Sequence, residues 1–578
     1  MQPKKFLAAF IAIYFLIFLI TDAIPINTDE YEIFLVVKDM VKNPSYFSLS
    51  GNGHRVLHKL IYLSVFWLND FNPEKVYYPA LLITLFFNLL LFVFMYKLLI
   101  KLFNYRIALI SIFLLATTHT FVRNTWFWTS TNLNLSITFA IIALLFLTKN
   151  NSAKNYFMAS MFFLLSALSR ESMIIPLGLI ALASLLYEQR YKKIKYYAIS
   201  LWPFALYAVF LAFNKIKLGA ILRPYNAGFL NPSLKNLANL IFYTDYLIKT
   251  LLILPIIFAI FFAIFYRKKY FEKAKKISIG HLSLFLWIVG GIIVLIIPTN
   301  TDHRYLIGIL PPIFILVAKI IDDSLFTKNE QIFDKFMKLL LGNVFLWLFI
   351  FSAAIIHQTG TDYSTITFIA NLIFYALIVH SIIIPIKFFK ENLFKNGGKT
   401  FAFCLLFLSF TLLSFTQLGM SYYFYSFQHD ITKNVNNAVW FIAKNAPNKS
   451  TVIVNPWDQM TSFDTNWLLS ANREDINIIY IENKNQINLQ ANLTNTTFFV
   501  GTPTTRTSID LITPFIYQHK QNFTLAKQFG DKMQKYPLIR IPNDANKMIQ
   551  NILTTSILFK IEPMKEYLVL IFEQKKQQ

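Results

Sequence analysis

Long apolar runs and short polar breaks alternate from the first residues of the chain to about residue 421. Runs of roughly 17–25 apolar residues are the length that carries a helix across bilayer hydrocarbon. That rule predicts about 13 spans, at 6–24, 78–99, 107–122, 133–148, 156–169, 172–187, 196–213, 247–266, 281–298, 305–321, 338–356, 365–386 and 401–421. The pair 156–169 and 172–187 is short enough to be one broken helix. Within 305–321, Pro311 and Pro312 are expected to bend the span. From about Tyr422 the pattern changes to Asn, Lys, Thr and Gln with short β-rich runs at 451–454, 476–481, 497–500 and 567–572. Helical patterns at 435–446 and 508–518 lie between them, which predicts a C-terminal α/β domain of about 150 residues. The expected fold is an α-helical polytopic membrane protein, with residues 1–421 as the membrane domain and 422–578 as the α/β domain.

Composition agrees: 56% of the 578 residues are hydrophobic and only 15% are charged. A net charge of +24 would suggest nucleic acid as a partner of a soluble protein. Here the cations concentrate in alternate short loops, such as Lys97, Lys101 and Arg106, then Arg267, Lys268 and Lys269, so membrane orientation explains them and no nucleic acid is expected. Lys4 and Lys5 precede an apolar run with no small-residue cleavage site, which predicts a retained first helix and a cytoplasmic N-terminus. The alternation then puts the C-terminal domain on the extracytoplasmic side of the cytoplasmic (inner) membrane. The single cysteine, Cys404, forbids an internal disulfide, and no Gly-rich phosphate loop, CxxC or HExxH occurs. Scarce Gly with abundant Lys, Asn, Ile and Phe suggests a bacterium, so that the outer face is periplasm.

Four places on the predicted outer face hold charge. Asp29 and Glu30 follow the first span, in a loop from 25 to 77. A carboxylate there suits a general base that deprotonates a hydroxyl acceptor, or a cap on an amphipathic interfacial helix. His54 and Arg55, with His58 one turn later, open an interfacial helix whose apolar stretch to Leu68 is too short to span. Arg170 and Glu171, flanked by Ser169 and Ser172, interrupt apolar sequence, where an ionised residue at mid-bilayer costs about 2.5–3.5 kcal/mol. They mark either a plain turn with a self-paired Arg and Glu or a site. Asp302, His303 and Arg304 precede Tyr305 at the mouth of a late span, as an interfacial anchor or a phosphate contact. Arg123, with Trp126 and Trp128, is a weaker candidate, part of an aromatic belt or a sugar-stacking wall. Several cations and a carboxylate on one face suit a lipid-linked phosphate donor and a hydroxyl acceptor.

The layout over residues 1–321 resembles the GT-C superfamily of integral-membrane glycosyltransferases, in which a first helix leads into a large outer loop with an acidic motif and interfacial helices. Asp29-Glu30 falls where that motif falls, Arg170-Glu171 resembles a midway basic-Glu element, and His303-Arg304-Tyr305 resembles the Arg-Tyr element that opens a late helix. The resemblance implies transfer of a hexosyl or pentosyl sugar from a polyprenyl-phosphate donor to a glycan, lipid or protein acceptor of the cell envelope, lipopolysaccharide included. It implies Asp29 as catalytic base with Glu30 as helper, and His54, Arg55, Arg170 and Arg304 on the donor phosphate. Glu171, Asp302, His303 and Arg123 would support them. It implies no cofactor beyond the lipid-linked sugar and no metal set among these residues, although oligosaccharide-transferring members use a divalent ion. A transporter or lipid flippase would instead show mid-membrane charge and internal two-fold similarity, neither of which is visible. An O-antigen polymerase or ligase shares the donor class but leans on Arg and His in a late loop. The enzyme reading expects Asp29, Arg170 and Arg304 to converge on one outward cavity.

Overall fold

The computed structural model describes residues 3–20, 56–71, 73–125, 131–149, 152–186, 234–249, 278–296, 303–326, 330–356, 397–454, 473, 475–481, 496–501, 511–530, 537–540, 560–563 and 568–575, with isolated positions at 37, 41, 199–209, 256 and 372–387. Helices occupy the apolar runs: α1 (Pro3–Ile20), α2 (Val56–Leu68), α3 (Pro73–Leu102), α4 (Tyr105–Thr117), α5 (His119–Thr125), α6 (Thr131–Leu147), α7 (Ala153–Ser169), α8 (Ile174–Leu186), α9 (Leu234–Lys249), α10 (Ile279–Ile296), α11 (Leu310–Ile321), α12 (Glu330–Ile356) and α13 (Gly397–Asn445). Among the described residues, three stretches, Pro79–Leu102, Ile279–Ile296 and Phe401–Gly419, are long and apolar enough to cross a bilayer. The expected spans at 196–213 and 365–386, and 247–266 beyond the end of α9 at Lys249, fall outside the described residues apart from isolated positions.

Local chemistry sets the helix ends. Asn104 caps α4 by accepting the Ile107 N–H at 3.0 Å, and Ser152 caps α7 through the Asn155 N–H at 3.2 Å. The expected span 107–122 is interrupted: Thr118 is extended (φ −70°, ψ 124°), and the chain restarts as the short α5. Residues 156–169 and 172–187 form two helices, separated by an extended Arg170 (φ −151°, ψ 117°) and a 3₁₀ turn over Glu171–Met173. The late span opens as a 3₁₀ turn, His303–Gly308, and Pro311 and Pro312 start α11 rather than bend it. Proline is tolerated in a first helical turn because its missing N–H has no partner there.

The helices run in both directions along the bundle, and their termini sort to two ends. At one end, space at Gly280 is taken by the side chains of Leu102 and Thr148, and Arg106 bonds Asp322 and Glu330. There α3, α6 and α11 finish and α4, α10 and α12 begin. The other end gathers the finishes of α4, α7 and α10 with the starts of α6, α8 and α11. Between them lies an aromatic core in which Trp287, Trp347, Phe113 and Phe314 are fully buried and Phe113 stacks on Phe410. Polar seams cross it: Asn88 donates to the Tyr14 hydroxyl at 3.1 Å, and the Ser136 and Ser166 hydroxyls lie 2.9 Å apart. Such bonds hold helices together where lipid supplies no hydrophobic drive.

α13 is 49 residues long, about 74 Å at 1.5 Å per residue, and so outruns a hydrocarbon core about 30 Å thick. It runs unbroken through residues 421 and 422, and its last turns (Ala438, Val439, Ile442) pack beneath a sheet. The sheet order is β2-β1-β3-β7-β4, with β1 (Thr451–Val454), β2 (Asn477–Tyr480), β3 (Thr496–Gly501), β4 (Phe523–Phe529) and β7 (Val569–Gln574). β1 pairs parallel with β2 and β3, while β7 runs antiparallel to β3 and β4. β5 (Pro537–Arg540) and β6 (Lys560–Pro563) form a separate antiparallel pair. Side chains alternate by layer: Val452, Val454, Phe498 and Val500 face the end of α13, and Ile453 and Phe499 face Ile512 and Ile516 of α14 (Ile512–Gln518). Burial on both faces explains why β1 reads as the unbroken apolar run Thr451-Val452-Ile453-Val454.

Candidate functional site

The end of the bundle where α4, α7 and α10 finish is polar and buried. Arg170, 7% exposed, follows α7 in an extended conformation; its N–H bonds the Ser166 carbonyl at 3.0 Å, and its carbonyl accepts from Met173 at 3.2 Å. The break in α7 therefore keeps the backbone satisfied while the side chain leaves the helix axis. Its guanidinium carbon lies 5.7 Å from the centroid of the Tyr305 ring, a cation–π contact. Tyr305 belongs to the 303–308 turn, whose Gly308 carbonyl accepts the Trp287 indole N–H at 2.9 Å. A Cβ on Gly308 would lie 3.9 Å from the Met173 sulfur. The turn is thus held by α10 on one side and by residues 170–173 on the other.

Close helix packing makes this junction possible. A Cβ at Gly290 would stand 2.6 Å from the Pro176 Cα, and one at Gly291 would stand 3.0 Å from Ile309. The Gly290-Gly291 pair lets α10 sit between the start of α8 and the start of α11. α5 and α9 also pack against the 303–308 turn. They are joined to each other and to their neighbours by the Thr120 and Tyr246 hydroxyls at 2.8 Å, the His119 N–H to Gln417 Oε1 at 2.8 Å, and Asn239 Nδ2 to the Ile296 carbonyl at 3.1 Å. α2 is pinned at the same end, where the Tyr62 hydroxyl lies 2.8 Å from that of Thr131 and 2.9 Å from that of Thr84. His58, 1% exposed, meets the Tyr62 ring edge-on at 4.9 Å.

Of the residues expected from sequence, Arg170 and the 303–308 turn are brought together, with His303 and Arg304 in the backbone of that turn. α5, which carries Arg123, packs on the same turn, and Glu171 begins the 3₁₀ turn after Arg170. Asp29, Glu30, His54, Arg55 and Asp302 lie outside the described residues; α2 begins directly after Arg55, at Val56. Among the described residues no group of three or more His, Cys, Asp or Glu is placed to hold a metal ion. Sequence reasoning missed the buried polar run Thr117-Thr118-His119-Thr120, together with Gln417 and Tyr246. The signal was four polar residues in succession inside an apolar span.

No family model and no curated protein matches the sequence. Solved structures do match in fold. ArnT from Cupriavidus metallidurans bound to undecaprenyl phosphate aligns with a TM-score of 0.50 at 12% identity, over 98% of this chain and 97% of that one. The same protein in the apo state aligns with a TM-score of 0.50 at 11% identity, over 99% and 98%. An oligosaccharyltransferase from Archaeoglobus fulgidus aligns with a TM-score of 0.49 at 11% identity, over 99% and 88%. The resemblance to the GT-C superfamily read from the sequence is borne out as a resemblance of fold.

Proposed function

We propose that this chain is a GT-C-type membrane glycosyltransferase that moves a sugar from a polyprenyl-phosphate carrier to a hydroxyl acceptor on the extracytoplasmic face, in the cell envelope. The observation that carries the reading is the contact of Arg170 with Tyr305: two charged breaks far apart in sequence meet at one end of the bundle. The likeness in fold to a protein solved with undecaprenyl phosphate supports the donor class.

In this reading the phosphate sits against Arg170 and Arg304, with His54 and Arg55 arriving from the start of α2. Asp29 takes the proton of the acceptor hydroxyl, with Glu30 as helper. The acceptor oxygen then bonds the anomeric carbon as the bond from that carbon to the phosphate oxygen breaks, and both bonding electrons leave with the lipid phosphate. Arginine suits the leaving group because its planar fork matches a phosphate and gains strength as charge develops. Tyr305 orients the plane of the Arg170 guanidinium through the cation–π contact. Glu171, Asp302, His303 and Arg123 support these groups. Residues 1–421 form the catalytic membrane domain, with a cytoplasmic N-terminus, and residues 422–578 the extracytoplasmic domain. The test is Asp29→Asn in reconstituted protein with a polyprenyl-phosphate sugar: transfer is abolished while membrane insertion and yield are unchanged. Full activity in that variant would overturn the mechanism.

A further inference from the structure

The end of the bundle opposite the site carries a charge network that no step above uses. Arg106, at the start of α4, donates through Nε to Asp322 Oδ1 at 2.5 Å and through one terminal nitrogen to Asp322 Oδ2 at 3.5 Å. Asn104 Nδ2 donates to the same Oδ2 at 2.7 Å, and the other terminal nitrogen of Arg106 reaches Glu330 Oε1 at 3.1 Å. The Tyr105 ring lies 5.7 Å from the guanidinium carbon. Both members of the pair are buried, Asp322 at 1% exposure and Arg106 at 7%. Asp322 opens a π-helical turn, Asp322–Phe326, that continues α11. A buried pair held by a bidentate fork and an amide adds little net stability, because its desolvation offsets its attraction. Its best-attested role is to specify register.

The register in question is that of α4 against α11. The two pack on each other, and the Ser111 hydroxyl reaches the Phe314 carbonyl at 3.4 Å midway. Their far ends carry the site: α4 leads through Thr118 into α5, and the 303–308 turn leads into α11. Apolar ridges can repack after a slip of one helical turn, about 5.4 Å. A bidentate ion pair cannot, so it removes that alternative.

We propose that Arg106 and Asp322 form a register lock that sets the height of the 303–308 turn against α5, and so positions the donor site from the opposite end of the bundle. The functional consequence rests on the glycosyltransferase reading above; the lock itself does not. They are positioning residues, since neither touches the site.

The test uses the full chain in liposomes, labelled with 5-fluorotryptophan. Trp287 donates to the Gly308 carbonyl at 2.9 Å, so its fluorine resonance, assigned with Trp287→Phe, reports the position of the turn. Arg106→Ala displaces that resonance and lowers kcat for transfer about 100-fold, the scale of a misplacement of about 1 Å. The charge-swapped pair Arg106→Asp with Asp322→Arg returns the resonance and brings kcat to within about tenfold of the original. Arg106→Lys, which keeps the charge but not the fork, falls between, and with the swap it carries the comparison if Arg106→Ala does not fold. A folded Arg106→Ala variant with an unmoved resonance overturns the lock, as does a swap that leaves the resonance displaced. If the unmodified protein transfers no sugar, the resonance alone decides the lock, and the loss falls on the glycosyltransferase reading.

Discussion

The two ends of the helical bundle each bury an arginine, one against carboxylates and one against an aromatic face. At the far end, cations meet carboxylates directly: Arg106 with Asp322 and Glu330, and Lys319 with Asp323 at 2.6 Å. At the site end, the buried Arg170 meets the face of Tyr305 amid hydroxyls and amides. Ion pairing spends a guanidinium fork on a protein carboxylate and fixes geometry. A π-face contact orients the guanidinium by its plane. The first arrangement suits a lock; the second orients the arginine to which the proposed function assigns the donor phosphate.

The contrast breaks most sharply at Arg170. Arg170→Ala is expected to lower transfer about 100- to 1000-fold, the range seen when one preorganised donor to developing charge is removed, and Arg170→Lys to recover little of it. Steady-state transfer with a polyprenyl-phosphate sugar measures both. Next is the junction that brings the turn to Arg170. Gly290→Ala forces a methyl against the Pro176 backbone and should destabilise by about 1–3 kcal/mol. Gly178→Ala, where no atom lies within 4 Å of the added carbon, should be neutral or stabilising by up to about 1 kcal/mol. Thermal unfolding in detergent compares the two. Tyr305→Phe keeps the ring and should leave transfer near normal, whereas Tyr305→Ala loses about 1 kcal/mol of transition-state stabilisation, roughly fivefold in kcat/KM.

The smallest effect lies in the tail, where Arg473 caps the end of α13. It donates to the carbonyls of Ala443 at 2.5 Å and Ala446 at 2.9 Å and forks onto Asp475 at 2.8 and 3.1 Å. The Arg473 hydrogen bonds, with one from the Lys449 N–H, pull the Asp475 carboxyl from 3.8 down to about 2. A depressed carboxylate contributes stability that is fully present above its unfolded value and is lost as pH falls through the folded one. Amide protection factors at the junction of α13 and β1, taken relative to the intrinsic exchange rate at each pH, should therefore be flat from about pH 7 to 4, fall towards about pH 2, and lose that dependence in Asp475→Asn.

Legibility followed the range of the interaction. The breaks at Ser169-Arg170-Glu171-Ser172 and before Leu306 were readable because charge inside apolar sequence is costly wherever it points. Strands β1 and β3 were readable because both faces are buried. β4 was missed: Phe523–Phe529 is an edge strand with Lys527 in it and six of its seven residues exposed or half-buried, so no apolar run marks it. The stop at Thr118 was missed because the flanking apolar run masks the polar one in any long window. Arg106 and Asp322 stand 216 residues apart, and nothing local to either predicts the partner. Convergence of Arg170 with Arg304 was expected from the charge pattern, but the contact with Tyr305 was not; it comes from the packing of α10 at Gly290 and Gly291.

The most direct measurement is a structure of the reconstituted protein with undecaprenyl phosphate bound. The phosphate is expected within about 3 Å of the guanidinium of Arg170 and against the 303–308 turn. A phosphate seated instead at the far end, beside Arg106 or Lys319, would contradict the assignment of the two ends.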